Sequence, residues 1–212
     1  MLLPASAFAQ QPLTHHLAVN AQVGYAALSC RVPPADQPQA VRLWQGVSPA
    51  IGISYSLGKS HFRFSAGVET DYAFLAASQE QLHSVNIFVP ILFGGQWGRF
   101  FFLAGGGVSF GAFGRVQRTP DQHPYSITRM PQLRCRGEVG AEVGASADGQ
   151  TRFMLAAYMG CGLLNERPIQ RKGPYADGVP YLICDESTAA RLAPITLGVT
   201  FTCLFNLSRR NL

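Results

Sequence analysis

Charge is scarce in this chain. Only 14% of its 212 residues are Asp, Glu, Lys or Arg, against roughly 25% in ordinary soluble domains. Also missing is any run of roughly 18 apolar residues, the least that a membrane-crossing helix needs. The most hydrophobic stretch, residues 84–113, is interrupted by Pro90, Gly94-Gly95 and Arg99. Mean hydropathy is a modest +0.09. Little charge without long apolar blocks fits strands that alternate between two environments. A concentrated basic patch is lacking too. The net charge of +5 comes almost wholly from Arg spread along the chain, which argues against a nucleic-acid surface. None of the five Cys has metal-ligand spacing, so neither metal nor cofactor is expected.

What is present points to β structure. There are 22 Gly and 14 Phe, suited to tight turns and aromatic faces. Residues 1–9 read as a residual signal peptide, with Ala7-Phe8-Ala9 as the small-x-small cleavage pattern and Gln10 as the first mature residue. The basic front of such a signal is missing, and the natural start is expected further upstream. Export permits disulfides.

The mature chain shows period-two alternation in eight stretches, each read as a strand. In 16–27, Leu17, Val19, Ala21, Val23 and Tyr25 share one face. In 47–57 that face is Ile51, Ile53, Tyr55 and Leu57, and in 61–73 it is Phe62, Phe64, Ala66, Val68, Thr70 and Tyr72. Strands are likewise read at 83–93, 100–113, 134–147, 151–164 and 194–205. Connections alternate between long (28–46, 114–133, 165–193) or medium (74–82) and short (58–60, 94–99, 148–150). Short turns at one end and long loops at the other mark outer-membrane barrels. Every charge inside the strands falls on the Gly- and Ser-rich face, the reverse of a soluble sandwich. The expected fold is therefore all-β, an eight-stranded antiparallel up-and-down transmembrane β-barrel formed by residues 10–212 as a single domain, with a periplasmic N-terminus.

The Val89-Pro90-Ile91-Leu92 step, the turn after it and Phe102-Leu103-Ala104-Gly105-Gly106 resemble the central hairpin of the small outer-membrane β-barrel family common in Bacteroidota, which includes PorT-like proteins. Ser146–Gly149 and the segment Ala156-Ala157-Tyr158-Met159-Gly160-Cys161-Gly162-Leu163 are similar to its later strands, and the architecture resembles OmpA- and OmpX-type barrels. The resemblance implies an outer-membrane location and, through the PorT-like members, an accessory role in a secretion or transport complex. The stretch past Phe205, Asn206–Leu212, departs from the terminal aromatic residue common in such barrels.

Arg63, Glu69, Asp71, Arg136, Glu138, Glu142 and Arg152 face inward in this scheme and are expected to pair across a narrow lumen as a salt-bridged plug. Arg136 is placed at the level of Glu69 and Asp71, with Arg63 and Arg152 lower, near Glu142. Cys30 with Cys184, and Cys135 with Cys161, are the two candidate disulfides, while Cys203 reads as a lone lipid-facing residue. Arg115, Arg118 and Arg129 in an outer loop are candidate lipopolysaccharide contacts, with ordinary solvated charge as the competing reading. Tyr25, Tyr72 and Phe74 read as an outer aromatic girdle, and Trp97, Phe100 and Phe101 as its periplasmic counterpart. Pro90 is expected to break a hydrogen-bond ladder locally. The expected role is a non-enzymatic structural or binding protein of the outer membrane. Its partners would be membrane lipid, lipopolysaccharide and other outer-membrane or secretion-complex proteins. A lipid hydrolase using Glu80, His83 and Ser84 is the alternative, although no nucleophile elbow supports it.

Overall fold

The computed structural model describes residues 13–32, 40–77, 80–118, 125–128, 131–163, 170–172 and 195–208. The signal-peptide reading, Arg129, Cys184 and most of the longest loop lie outside them. So do the side chains of Cys30, Glu80, Arg115 and Arg118.

The described residues form eleven strands: β1 (Thr14–Val32), β2 (Ala40–Val47), β3 (Ala50–Lys59), β4 (Phe62–Ala77), β5 (Glu80–Trp97), β6 (Phe100–Arg118), β7 (Tyr125–Thr128), β8 (Gln132–Ala145), β9 (Thr151–Gly162), β10 (Gln170–Lys172) and β11 (Ile195–Asn206). β2 and β3 lie end to end along β1, with Tyr25 opposite Val47 and Gln22 opposite Ala50. They form one barrel strand interrupted at Ser48-Pro49. Each barrel strand pairs antiparallel with its neighbours in sequence, and β1 pairs with β11, Leu17 opposite Phe205 and Ala27 opposite Ile195. The result is a closed eight-stranded up-and-down barrel. Closure leaves the ring without an edge. Short β7 and β10 pair beyond the ring, with β7 against the end of β6.

The alternation in the sequence sorts side chains as expected. Ile51 (70% exposed), Phe100 (70%) and Val139 (61%) stand on the outer surface with the other bulky apolar residues. From Leu17 to Tyr25 the outward band spans roughly 27 Å along the strand, or roughly 20 Å along the barrel axis at a tilt near 40°. Among the described residues, no Asp, Glu, Lys or Arg lies within that band.

Several boundaries differ from expectation. The segment 28–46, read as a loop, is mostly strand, because β1 runs to Val32 and β2 begins at Ala40. Likewise β6 continues to Arg118, and β4 and β5 are joined close to residues 78–79. Beyond the apolar band the regular alternation in the sequence fades while the backbone ladder continues. The turn read at 94–99 shrinks to Gly98-Arg99, with Trp97 opposite Phe100 and Gly98 at φ 62°. Gly94 and Gly95 belong to β5.

At Pro90 the β4–β5 pairing omits Gly67/Pro90 and Val68/Val89, then resumes in the same register. The missing proline donor thus leaves a local gap on that side. On the other side Pro90 stays opposite Gly107, where an added Cβ would lie 2.0 Å from the Val89 carbonyl oxygen. The one register shift along β5–β6 falls elsewhere, between Val85 and Asn86.

Candidate functional site: the lumen

The inward residues stack in layers. Nearest the short turns, a mouth is lined by His16, Arg63, Glu142 and Arg152. Above it Ala18, Leu92, Phe101, Leu103, Met154, Ala156 and Leu204 form an apolar plug. This layer was missed in the sequence. Five strands contribute one or two residues each, scattered among small and polar ones, so no single segment signals it. Phe101, expected at the membrane interface, belongs here with 4% exposure. Its neighbours Phe100 and Phe102 point outward, and strand parity forces Phe101 inward.

The centre of the lumen is held by Arg136. Its Nη1 donates to Glu69 Oε2 at 2.6 Å and its Nη2 to Thr200 Oγ1 at 3.3 Å. Nε lies 2.7 Å from Glu138 Oε1, with its N–H off the line of centres, so this contact is ionic rather than a hydrogen bond. The guanidinium also sits 4.6 Å from the centre of the Tyr158 ring. Glycine makes room for that ring, since a Cβ on Gly24 would lie 2.4 Å from the Tyr158 hydroxyl. One side chain thereby ties β8 to β4, β9 and β11. A buried guanidinium needs such a set of acceptors to offset its desolvation.

Asp71 pairs with Arg134, at 3.4 Å, and accepts from Asn86 Nδ2 at 2.6 Å. Asp71 thus belongs to Arg134 rather than Arg136. Arg134 and Asn86 share the inward face but went unnoticed as partners, because cross-barrel neighbours depend on register and not on sequence spacing. Arg152 meets Glu142 at 3.6 Å near the mouth, as expected. Arg63 lies at the level of Glu142, but its pairing departs from expectation. Among the described residues it has no carboxylate within 4 Å. Instead it donates to Ser56 Oγ at 3.4 Å and contacts Met154 Sδ at 3.1 Å, lying over Phe101. A small void, bordered also by Phe101 and Leu103, lies between it and the central carboxylates Glu69 and Glu138.

Cys135 and Cys161 stand directly opposite each other on β8 and β9, with their Sγ atoms 2.8 Å apart. Cys30 is a register partner of Arg42. Cys203 is opposite Val19, on the outward face. The backbone places Arg115 opposite His83 and Arg118 opposite Glu80, on the extension of β5 and β6.

Ser84 and His83 point to opposite faces. Ser84 is 0% exposed inside the barrel, whereas His83 meets the Tyr72 hydroxyl at 2.6 Å on the outside and packs edge-on against Phe74. Adjacent strand residues cannot converge as nucleophile and base. The girdle aromatics pair repeatedly with histidine, an association absent from the sequence reading. Besides His83, His61 stacks on Trp97 and His15 contacts Tyr55.

No family model and no curated protein sequence matches the chain. Among solved structures it is similar to Neisserial surface protein A, at 9% identity and a TM-score of 0.39, covering 91% of this chain and 98% of that one. It is also similar to the outer membrane protein OprG from Pseudomonas aeruginosa, at 11% identity and a TM-score of 0.40, covering 89% and 93%. A third similar structure is the outer membrane protease OmpT from Escherichia coli, at 5% identity and a TM-score of 0.45, covering 95% and 98%.

Proposed function

We propose that the chain is a non-enzymatic β-barrel of the bacterial outer membrane, acting as a structural or binding protein with a closed lumen. The observation that carries this reading is the inverted surface. A closed ring whose outward band is bulky, apolar and, among the described residues, free of charge, with its ion pairs inside, suits lipid as solvent. In water the same exterior would be a very large exposed apolar surface, which soluble monomers avoid. The short turns and the described N- and C-terminal ends share one end of the barrel, which supports a periplasmic N-terminus. Recovery in the outer-membrane fraction, with electrophoretic mobility that changes on boiling, tests this. Recovery as a soluble periplasmic protein contradicts it.

Strands of up to 19 residues exceed the roughly 9–11 that cross a bilayer. The excess raises a β platform beyond the lipid, which supports contact with lipopolysaccharide or a protein partner. Arg115, Arg118 and Arg129 are the proposed anionic-lipid contacts. The PorT-like sequence resemblance favours a partner within a secretion or transport complex, tested by detergent pull-down from native outer membranes. The hydrolase alternative loses its Ser84–His83 pair to strand parity.

A further inference from the structure

At the end bearing the short turns, the lumen opens into a cavity of about 390 Å³ whose lining includes His16, Ser56, Arg63, Gln96, Glu142 and Arg152. Arg63 forms part of its floor and is only 7% exposed. Ser56 and the Met154 sulfur take its Nε and Nη1, and Nη2 has no hydrogen-bond partner among the described residues. Glu69 and Glu138 border a separate small void on the other side of Arg63, both beyond ion-pair distance. The Nδ1 of His16 is also buried without a hydrogen-bond partner among the described residues. Arg152 supplies a second cation, held at 3.6 Å by the only carboxylate among the described lining residues, Glu142.

Three nitrogen-bearing side chains from β1, β4 and β9 therefore border one open cavity, and the most buried of them, Arg63, has no described carboxylate within ion-pair distance. A desolvated guanidinium without a carboxylate is costly, and an entering oxyanion would supply the missing acceptors. The geometry points to a binding site for a phosphate group in this mouth, with Arg63 as its anchor. A tetrahedral oxyanion offers acceptors in several directions, suiting donors on three strands. A planar carboxylate would satisfy one guanidinium fork. The cavity opens along the barrel axis, so the ligand is a soluble phosphate compound rather than a lipid. That this end faces the periplasm rests on the proposed membrane orientation; the binding chemistry does not.

The test is a calorimetric titration of the full chain, folded in detergent micelles, with inorganic phosphate at constant ionic strength. Boiling-dependent mobility confirms that each variant is folded. Saturable binding in the millimolar range or tighter is expected, with acetate weaker. Arg63→Gln should weaken phosphate by about tenfold or more, the loss of one charged hydrogen bond. Glu142→Gln should tighten it, because Arg152 is freed and a competing anion removed. If Arg63→Gln fails to fold, Glu142→Gln alone decides. Absence of saturable binding, equal binding by folded Arg63→Gln, or no tightening in Glu142→Gln overturns the site. The titration requires only a folded barrel, so its failure leaves the outer-membrane reading to its own fractionation test.

Discussion

Arg136 donates to Glu69 across the lumen at 2.6 Å, joining β8 to β4, strands that are not neighbours in the ring. The two side chains are 5% and 7% exposed. Removing one partner of such a pair leaves an uncompensated buried charge, at a cost of about 3–5 kcal/mol. Arg136→Met is expected to destabilise the barrel by that amount in urea unfolding from detergent or lipid. Adding Glu69→Gln and Glu138→Gln should restore much of the loss, because the stranded carboxylates are then gone.

The exterior gives the opposite expectation. Val139 projects outward between Phe102 and Ala157, in the middle of the apolar band. Val139→Arg should destabilise the bilayer-embedded protein by about 2–4 kcal/mol, as arginine does on the lipid face near the midplane. Reversible unfolding in lipid vesicles measures it. An exposed residue of a water-soluble barrel would show a change within about 0.5 kcal/mol.

Phe101, Met154 and Leu204 fill the lumen above the mouth. The cavities bordered by Arg136 or by Phe101 amount to only about 40 and 30 Å³, room for little more than water. Planar bilayers containing the protein are expected to show no large, stable channels.

With the proposed outer-membrane location, Cys135 and Cys161 are expected to be joined by a disulfide. Their sulfurs, 2.8 Å apart, lie close to the roughly 2.05 Å of a disulfide bond, and the envelope is oxidising. Oxidation removes one hydrogen from each thiol and passes two electrons and two protons to a disulfide of an envelope oxidant, which is reduced to a dithiol. Intact mass before and after reduction, compared with Cys135→Ser, reads the pairing.

Much of this architecture was legible in the sequence because the interior is narrow and the exterior is lipid-like. Residues such as Gly52, Ser54 and Ser56 then alternate strictly with Ile51, Ile53 and Tyr55, and parity carries the fold. The inward charges were legible for the same reason. Their partners were not. Whether Asp71 meets Arg134 or Arg136 depends on strand stagger around the closed ring, which no local pattern encodes. Phe101 was misplaced because β6 is apolar on both faces near the turn, and the contacts of Arg63 were hidden because Ser56 and Met154 come from two other strands. The extension of β1, β2 and β6 was hidden because the regular alternation of bulky apolar with small residues does not continue into residues 28–32, 40–46 and 114–118.

The most direct test places a reporter on the outward face. Val139→Trp, reconstituted in bilayers whose acyl chains carry bromine near the membrane centre, adds one fluorophore to the native Trp44 and Trp97. Its added emission should be strongly quenched by the bromines and little affected by aqueous acrylamide. Emission quenched by acrylamide and indifferent to bromine would place that face in water and contradict the membrane-spanning barrel.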